Sequence, residues 1–156
     1  MPLTGPKLPR MFRGRFDYTI DEKGRTSLPA KFREVLAASY DERLIITTFD
    51  KCLWAYPVKE WQTIEEKIAA LPQFKPEVKA LQRMFVSGAT ECPLDKQGRM
   101  VLPASLRDYA ELRKEIVFVG MTKRIEIWSK ESWGKAMAVN QLALESMSEG
   151  LANLGL

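Results

Sequence analysis

The 156-residue sequence predicts a mixed α+β protein built as two related halves, each a short-stranded β unit closed by helix. Three observations carry that expectation. "DEKGRTSLPAKFR" at Asp21–Arg33 recurs as "DKQGRMVLPASLR" at Asp95–Arg107, an offset of 74 residues. In both copies, β-rich segments are followed by apolar stripes at three- and four-residue steps. An apolar fraction of 46% with 28% charged residues is that of a globular chain able to bury one sizeable core or two small linked ones.

Taken in order, residues 15–20 read as a strand, Asp21–Gly24 as a turn, and Arg25–Leu28 as a second short strand. Pro29 suits the first position of a short helix reaching about Leu36, because its fixed φ is helical and its missing N–H is not needed there. "RLIITTF" and "CLWAYP", separated by the turn-like Asp50-Lys51, should form a hairpin. Trp61, Ile64, Ile68 and Leu71 mark a helix; Val78, Leu81 and Phe85 mark another after the break at "PQFKP", and the two bridge the halves. The second copy then repeats the first. Gly14 aligns with Gly88, Ile20 with Leu94, Gly24 with Gly98, Arg25 with Arg99, Pro29 with Pro103 and Arg33 with Arg107. After a two-residue difference the offset becomes 72, pairing Ile45 with Val117, Tyr56 with Trp128 and Trp61 with Trp133. Met137, Leu144, Met147 and Leu151 mark a C-terminal helix that frays toward "LGL". Core is the commoner fate of such stripes, and partner surface the alternative.

The composition narrows the chemistry. There is no histidine, so Ser-His triads and nearly all standard zinc sites are excluded; no phosphate-binding or dinucleotide-binding glycine pattern is present, and no carboxylate set stands out from solvated helix faces. The chain is expected not to be an enzyme and to need neither metal nor cofactor. Cys52 and Cys92 are too far apart for a Cys-x-x-Cys site and are expected to be buried thiols. No apolar run reaches the roughly 18 residues of a membrane span, which predicts a cytoplasmic protein that does not use a membrane. The net charge of +4 is unevenly placed: residues 1–33 hold eight basic residues against three acidic ones, leaving −1 for the rest. Such a basic end suits a phosphate backbone.

Asp-x-x-Gly-Arg has a structural reading: the aspartate caps backbone N–H groups, the glycine supplies a positive φ, and the arginine pairs with the aspartate. Strand parity adds a second. If Leu28 and Thr26 point inward in "RTSL", Arg25 and Ser27 point out; in "RMVL", Met100 and Leu102 point in and Arg99 out. An outward arginine on a rigid turn can grip phosphate or read guanine, with Asp21 or Asp95 orienting it and Gly24 or Gly98 shaping the turn. The basic N-terminal end, residues 1–33, favours this binding reading. Arg13, Arg15 and Lys23 join Arg25 and Arg99 as candidate contacts; the first copy should carry more of the phosphate contact, because Ser87, Ala89 and Ser105 replace Arg13, Arg15 and Lys31.

"MFRG" at Met11–Gly14, "DEKGR" with Leu-Pro-Ala-Lys-Phe-Arg, "CLWAYP" with Trp61, "DKQGR" and "IEIW" with Trp133 together resemble the MraZ family of bacterial transcriptional regulators over residues 11–156. The resemblance implies two tandem AbrB-like, swapped-hairpin β domains about a pseudo-twofold, at 11–58 and 87–130, with a helical connection at 59–86 and a C-terminal helix and tail at 131–156. It implies a ring-like homo-oligomer that binds repeated boxes in double-stranded DNA and represses the division and cell-wall gene cluster, its own promoter included, in the nucleoid. The family's DNA-binding positions fall on Asp21 with Arg25 and on Asp95 with Arg99. Residues 1–10 precede the family's usual start and are expected to be a disordered extension, either a basic arm or an upstream start. Avidity across several protomers would compensate for a modest charge, with boxes recurring near multiples of about 10 base pairs. The alternative is an assembly protein whose Asp-x-x-x-Arg motifs are structural.

Overall fold

The computed structural model of the protein describes residues 11–156, and the expectation for residues 1–10 lies outside them. The first copy supplies β1 (Arg15–Thr19), β2 (Arg25–Ser27), α1 (Ala30–Ser39), β3 (Arg43–Phe49) and β4 (Cys52–Pro57). Helices α2 (Val58–Ala69) and α3 (Pro76–Leu81), the latter running on into a π-helical turn at Gln82–Val86, cross to the second copy. That copy supplies β5 (Thr90–Pro93), β6 (Arg99–Val101), α4 (Ala104–Tyr109), β7 (Glu115–Gly120) and β8 (Ile125–Ser129), followed by α5 (Lys130–Ser146) and α6 (Ser148–Asn153).

The copies do not keep their strands apart. One six-stranded antiparallel sheet runs β1-β7-β8-β4-β3-β5, and a separate two-stranded ribbon pairs β2 with β6. Each copy keeps its own hairpin, β3 with β4 and β7 with β8, as the sequence predicts. Every other pairing crosses between copies: β1 with β7, β3 with β5, and β4 with β8. The first hairpin turns on Asp50 and Lys51, both at positive φ (55° and 69°), the primed-turn geometry whose twist matches the flanking strands.

Strand alternation then builds three layers. Leu44, Ile46, Ile116 and Phe118 face one side of the sheet, where Phe32 and Leu36 of α1, Leu106 of α4, and Leu28, Met100 and Leu102 at the ribbon close a single cluster. On the other side, Trp61, Ile68 and Phe85 pack on Tyr56, while Trp133 and Ala136 of α5 pack beside Val117, Val119 and Trp128. Trp61, Ile68, Val78 and Phe85 of the two bridging stripes are therefore core, Ile64 and Leu81 are half-buried beside them, and Leu71 is exposed. The buried Thr47 hydroxyl donates to the Phe85 carbonyl at 2.6 Å, tying the π-helical turn to the sheet.

Two expectations need correction. Pro29 and Pro103 are not the first helical residues. Each keeps extended ψ (139° and 153°) between its short strand and the helix, and the Pro29 carbonyl accepts the N–H groups of Phe32 and Arg33 at 3.0 Å, which makes it the N-cap. The C-terminal stripe is not core either: no residue of α5 is buried, and Leu144 and Met147 are exposed. A 17-residue helix is about 25 Å long, and only its first two turns, through Trp133 and Ala136, lie against the sheet. Cys52 and Cys92 are buried free thiols, as expected; burial pushes Cys92 up to about 11 and Cys52 higher still. Among the described residues no helix is long and apolar enough to cross a membrane.

Candidate nucleic-acid interface

The two Asp-x-x-Gly-Arg segments fold alike. In the first, Gly24 N–H donates to the Asp21 carbonyl at 3.0 Å, closing a turn in which Gly24 takes φ +85°. Asp21 Oδ1 accepts the N–H groups of Lys23 (3.0 Å) and Arg25 (2.8 Å), and Oδ2 accepts Arg25 Nε at 2.6 Å. In the second, Gly98 sits at φ +77°, Asp95 Oδ1 accepts from Gln97 (2.8 Å) and Arg99 (2.9 Å), and Oδ2 accepts Arg99 Nε at 3.1 Å. The backbone N–H of the arginine, more than any other group, holds each carboxyl below its ordinary value, so both aspartates stay ionised through the neutral range.

Both readings of the motif are thus physically present at once. The arginine pairs with its aspartate, yet the pairing uses Nε and leaves the end of the guanidinium outward; the Arg25 and Arg99 side chains are 60% and 59% exposed. The copies differ at one position. Arg99 Nη2 also donates to Gln97 Oε1, whereas the aligned residue in the first copy is Lys23, which has no acceptor to offer. Among the described residues, neither terminal nitrogen of Arg25 makes a hydrogen bond.

Pairing of β2 with β6 brings the turns together. The register sets Arg25 opposite Val101, Thr26 opposite Met100, and Ser27 opposite Arg99. Thr26 and Met100 point inward and are buried, with the Thr26 hydroxyl donating to the Thr19 carbonyl at 2.8 Å. Arg25, Ser27, Arg99 and Val101 form the outward face of one ribbon, its two arginines diagonal neighbours across the strand pair. Arg25, Arg99 and Val101, with Asp21, Asp95 and Glu91–Leu94, line a groove of about 740 Å³. A two-stranded ribbon of this kind fits the roughly 12 Å width of a DNA major groove, and a planar guanidinium matches guanine O6 and N7.

Lys23 stands at the tip of the first turn beside Arg25. Arg13 and Arg15 stand elsewhere. Arg15 lies next to Val119 in the β1–β7 register and its guanidinium sits 5.5 Å from the centre of the Trp133 ring, so it is on the α5 side of the sheet, opposite the ribbon. Parity is the cause: with Phe16 and Tyr18 facing the α1 core, Arg15 and Asp17 must face away. Arg13 is exposed beyond the far end of β1, next to Gly120. Sequence reasoning treated each turn as a separate surface and missed the ribbon. The short strand after each turn alternates inward and outward residues, but its partner lies in the other copy, which the sequence does not show.

Two interleaved copies of one strand–turn–strand unit, joined by a ribbon that carries aspartate-held arginines outward, define a tandem-repeat α+β protein with an arginine-bearing surface turn in each repeat. The chain belongs to the MraZ family: the family model described as "MraZ protein, putative antitoxin-like" matches residues 11–84 and again 85–153. A transcriptional regulator MraZ of Desulfitobacterium hafniense is 50% identical over 147 residues, covering 94% of this chain and all of the relative. Those of Desulforamulus reducens and Natranaerobius thermophilus are 46% and 43% identical, each covering 92% of this chain and 99% and 98% of the relative. These relatives are regulators by name, not enzymes.

Proposed function

We propose that the protein is a transcriptional regulator that binds double-stranded DNA sequence-specifically through the β2–β6 ribbon. Arg25 and Arg99 read or grip the DNA, Lys23 adds a phosphate contact, Asp21 and Asp95 aim the arginines, and Gly24 and Gly98 let the turns form. The observation that carries this is the ribbon itself: two exposed guanidinium groups, each fixed at Nε by its own aspartate, on one outward face. Arg13 and Arg15 are left out of that contact by their place on the sheet.

The remaining parts follow the resemblance. The strand order reads the same in reverse when each strand is exchanged for its repeat counterpart, which supports two AbrB-like halves, 11–58 and 87–130, of swapped-hairpin type about a pseudo-twofold. Exposed Val139, Leu142, Leu144 and Met147 on α5 and beyond support a homo-oligomer, ring-like as in the family reading. Its work would be repression of the division and cell-wall gene cluster at promoter repeats in the nucleoid. Asp21 and Asp95 are already satisfied within their own turns, which weighs against the alternative in which these carboxylates bridge subunits.

A footprint on DNA upstream of the protein's own gene tests the proposal. Protected boxes recurring near multiples of about 10 base pairs are expected. Uniform coverage, or no protection, would contradict it.

A further inference from the structure

The ribbon is braced from beneath by two arginines that the candidate contacts do not include. Arg107, on α4 of the second copy, donates from Nε to the Leu102 carbonyl at 2.9 Å and from Nη1 to the Glu22 carbonyl at 3.0 Å. Glu22 follows Asp21 in the first copy's turn. Its aligned counterpart, Arg33 on α1 of the first copy, donates from Nη2 to the carbonyl of Lys96, the residue that follows Asp95 in the second copy's turn. The same crossing therefore occurs twice, at equivalent positions.

The turn glycines record how closely these groups pack. A Cβ on Gly24 would lie 2.8 Å from Arg107 Nε, and one on Gly98 would lie 2.9 Å from Arg33 Cδ and 3.1 Å from its Nε. Backbone pairing crosses in the same sense: Leu102 N–H donates to the Gly24 carbonyl at 2.8 Å, and Leu28 N–H to the Gly98 carbonyl at 2.9 Å. The two braces are unequal. Arg107 holds two carbonyls, whereas Arg33 holds one and has a longer 3.7 Å ion pair with Glu42; the residue aligned with Glu42 in the second copy is Lys114.

We infer that Arg107 and Arg33 are crossed positioning residues: each copy's helix arginine sets the geometry of the other copy's reading turn. Holding the Glu22 carbonyl fixes the Glu22–Lys23 peptide plane, whose N–H donates to Asp21 Oδ1 at 3.0 Å. That plane sets where Asp21 accepts the Arg25 N–H and Nε, and hence where the guanidinium points. The donors that Arg107 spends on carbonyls are not phosphate contacts. Each reading turn is thus braced from the other copy, with Arg25 dependent on α4 and Arg99 on α1.

What the turns read rests on the DNA-binding proposal, so the test has one arm with DNA and one without. In the first, Arg107→Ala is titrated against a promoter fragment alone and combined with Arg25→Ala or Arg99→Ala. We expect a loss of roughly tenfold, absent in the Arg25→Ala background and retained in the Arg99→Ala background; Arg33→Ala should show the mirror pattern. The salt slope of Arg107→Ala should match the wild type, whereas loss of a phosphate contact would reduce it by about 1. Equal losses in both backgrounds, or a reduced slope, would overturn the inference. In the second arm, amide hydrogen exchange without DNA should quicken at Lys23 and Arg25 but not at Gln97 and Arg99 in Arg107→Ala. Arg107→Lys, which keeps the charge but not the fork, should give a weaker form of the same pattern. Exchange that rises equally in both turns, or in neither, would overturn the crossed brace; loss of specific DNA binding in the wild type would instead remove only the function of the turns.

Discussion

Gly24 is the residue at which the turn is least able to tolerate change. Its φ of +85° is strained for any side chain, and an added Cβ would lie 2.3 Å from the backbone carbonyl oxygen of Leu102, which cannot swing aside as a side chain could. Gly24→Ala should therefore destabilise the protein by more than about 2 kcal/mol, beyond the ordinary left-handed penalty, as read by urea unfolding. At Gly14, where a Cβ would meet only the Phe16 ring, the same change should do less. With no histidine in the chain and both motif carboxyls held low, the contribution of Asp21 and Asp95 is complete above the ordinary carboxyl value of about 3.9 and is lost only as pH falls through their lowered values. DNA affinity at fixed ionic strength should be flat between pH 6 and pH 8, within about twofold. At this scale parity alone placed Arg25, Arg99, Thr26 and Met100 on their correct sides. The braces were not legible, because Arg107 and the Glu22 carbonyl are 85 residues apart and nothing local joins them.

At the scale of elements, the hairpins and bridging helices could be read from alternation and apolar stripes because each signal lies within one segment. Strand partners could not. A repeat says that two segments are alike, not whether each pairs with itself or with its copy, and here β1, β2, β3 and β4 all pair across the repeat. The C-terminal stripe misled for a related reason: periodicity predicts a helix with an apolar face but not what covers that face. The exchange has a direct consequence. A fragment of residues 11–86 retains the β3–β4 hairpin but loses β7 from β1, β5 from β3 and β6 from β2, which leaves the Phe32, Leu36 and Leu44 cluster open. It should be unstructured as a monomer by circular dichroism and gain strand signal only by pairing with a second copy of itself. A folded monomeric fragment would contradict the interdependence of the halves.

On the whole molecule, a charge of only +4 is compatible with DNA binding because the cations that matter are placed and not merely numerous. Crossing strands put one turn from each copy on a single ribbon, and self-association would then multiply that ribbon along repeated boxes. The sequence could suggest the family and the two turns; their convergence on one face required the topology. The central claim is that this ribbon reads DNA, with Arg25 the freer of its two arginines. It is tested most directly by titrating wild type, Arg25→Ala and Arg99→Ala against a promoter fragment over a salt series. The prediction is a steep fall of log K with log salt, a loss of about 10- to 100-fold for Arg25→Ala, and a smaller loss for Arg99→Ala, whose guanidinium Gln97 already engages. Unchanged promoter affinity in Arg25→Ala would contradict it.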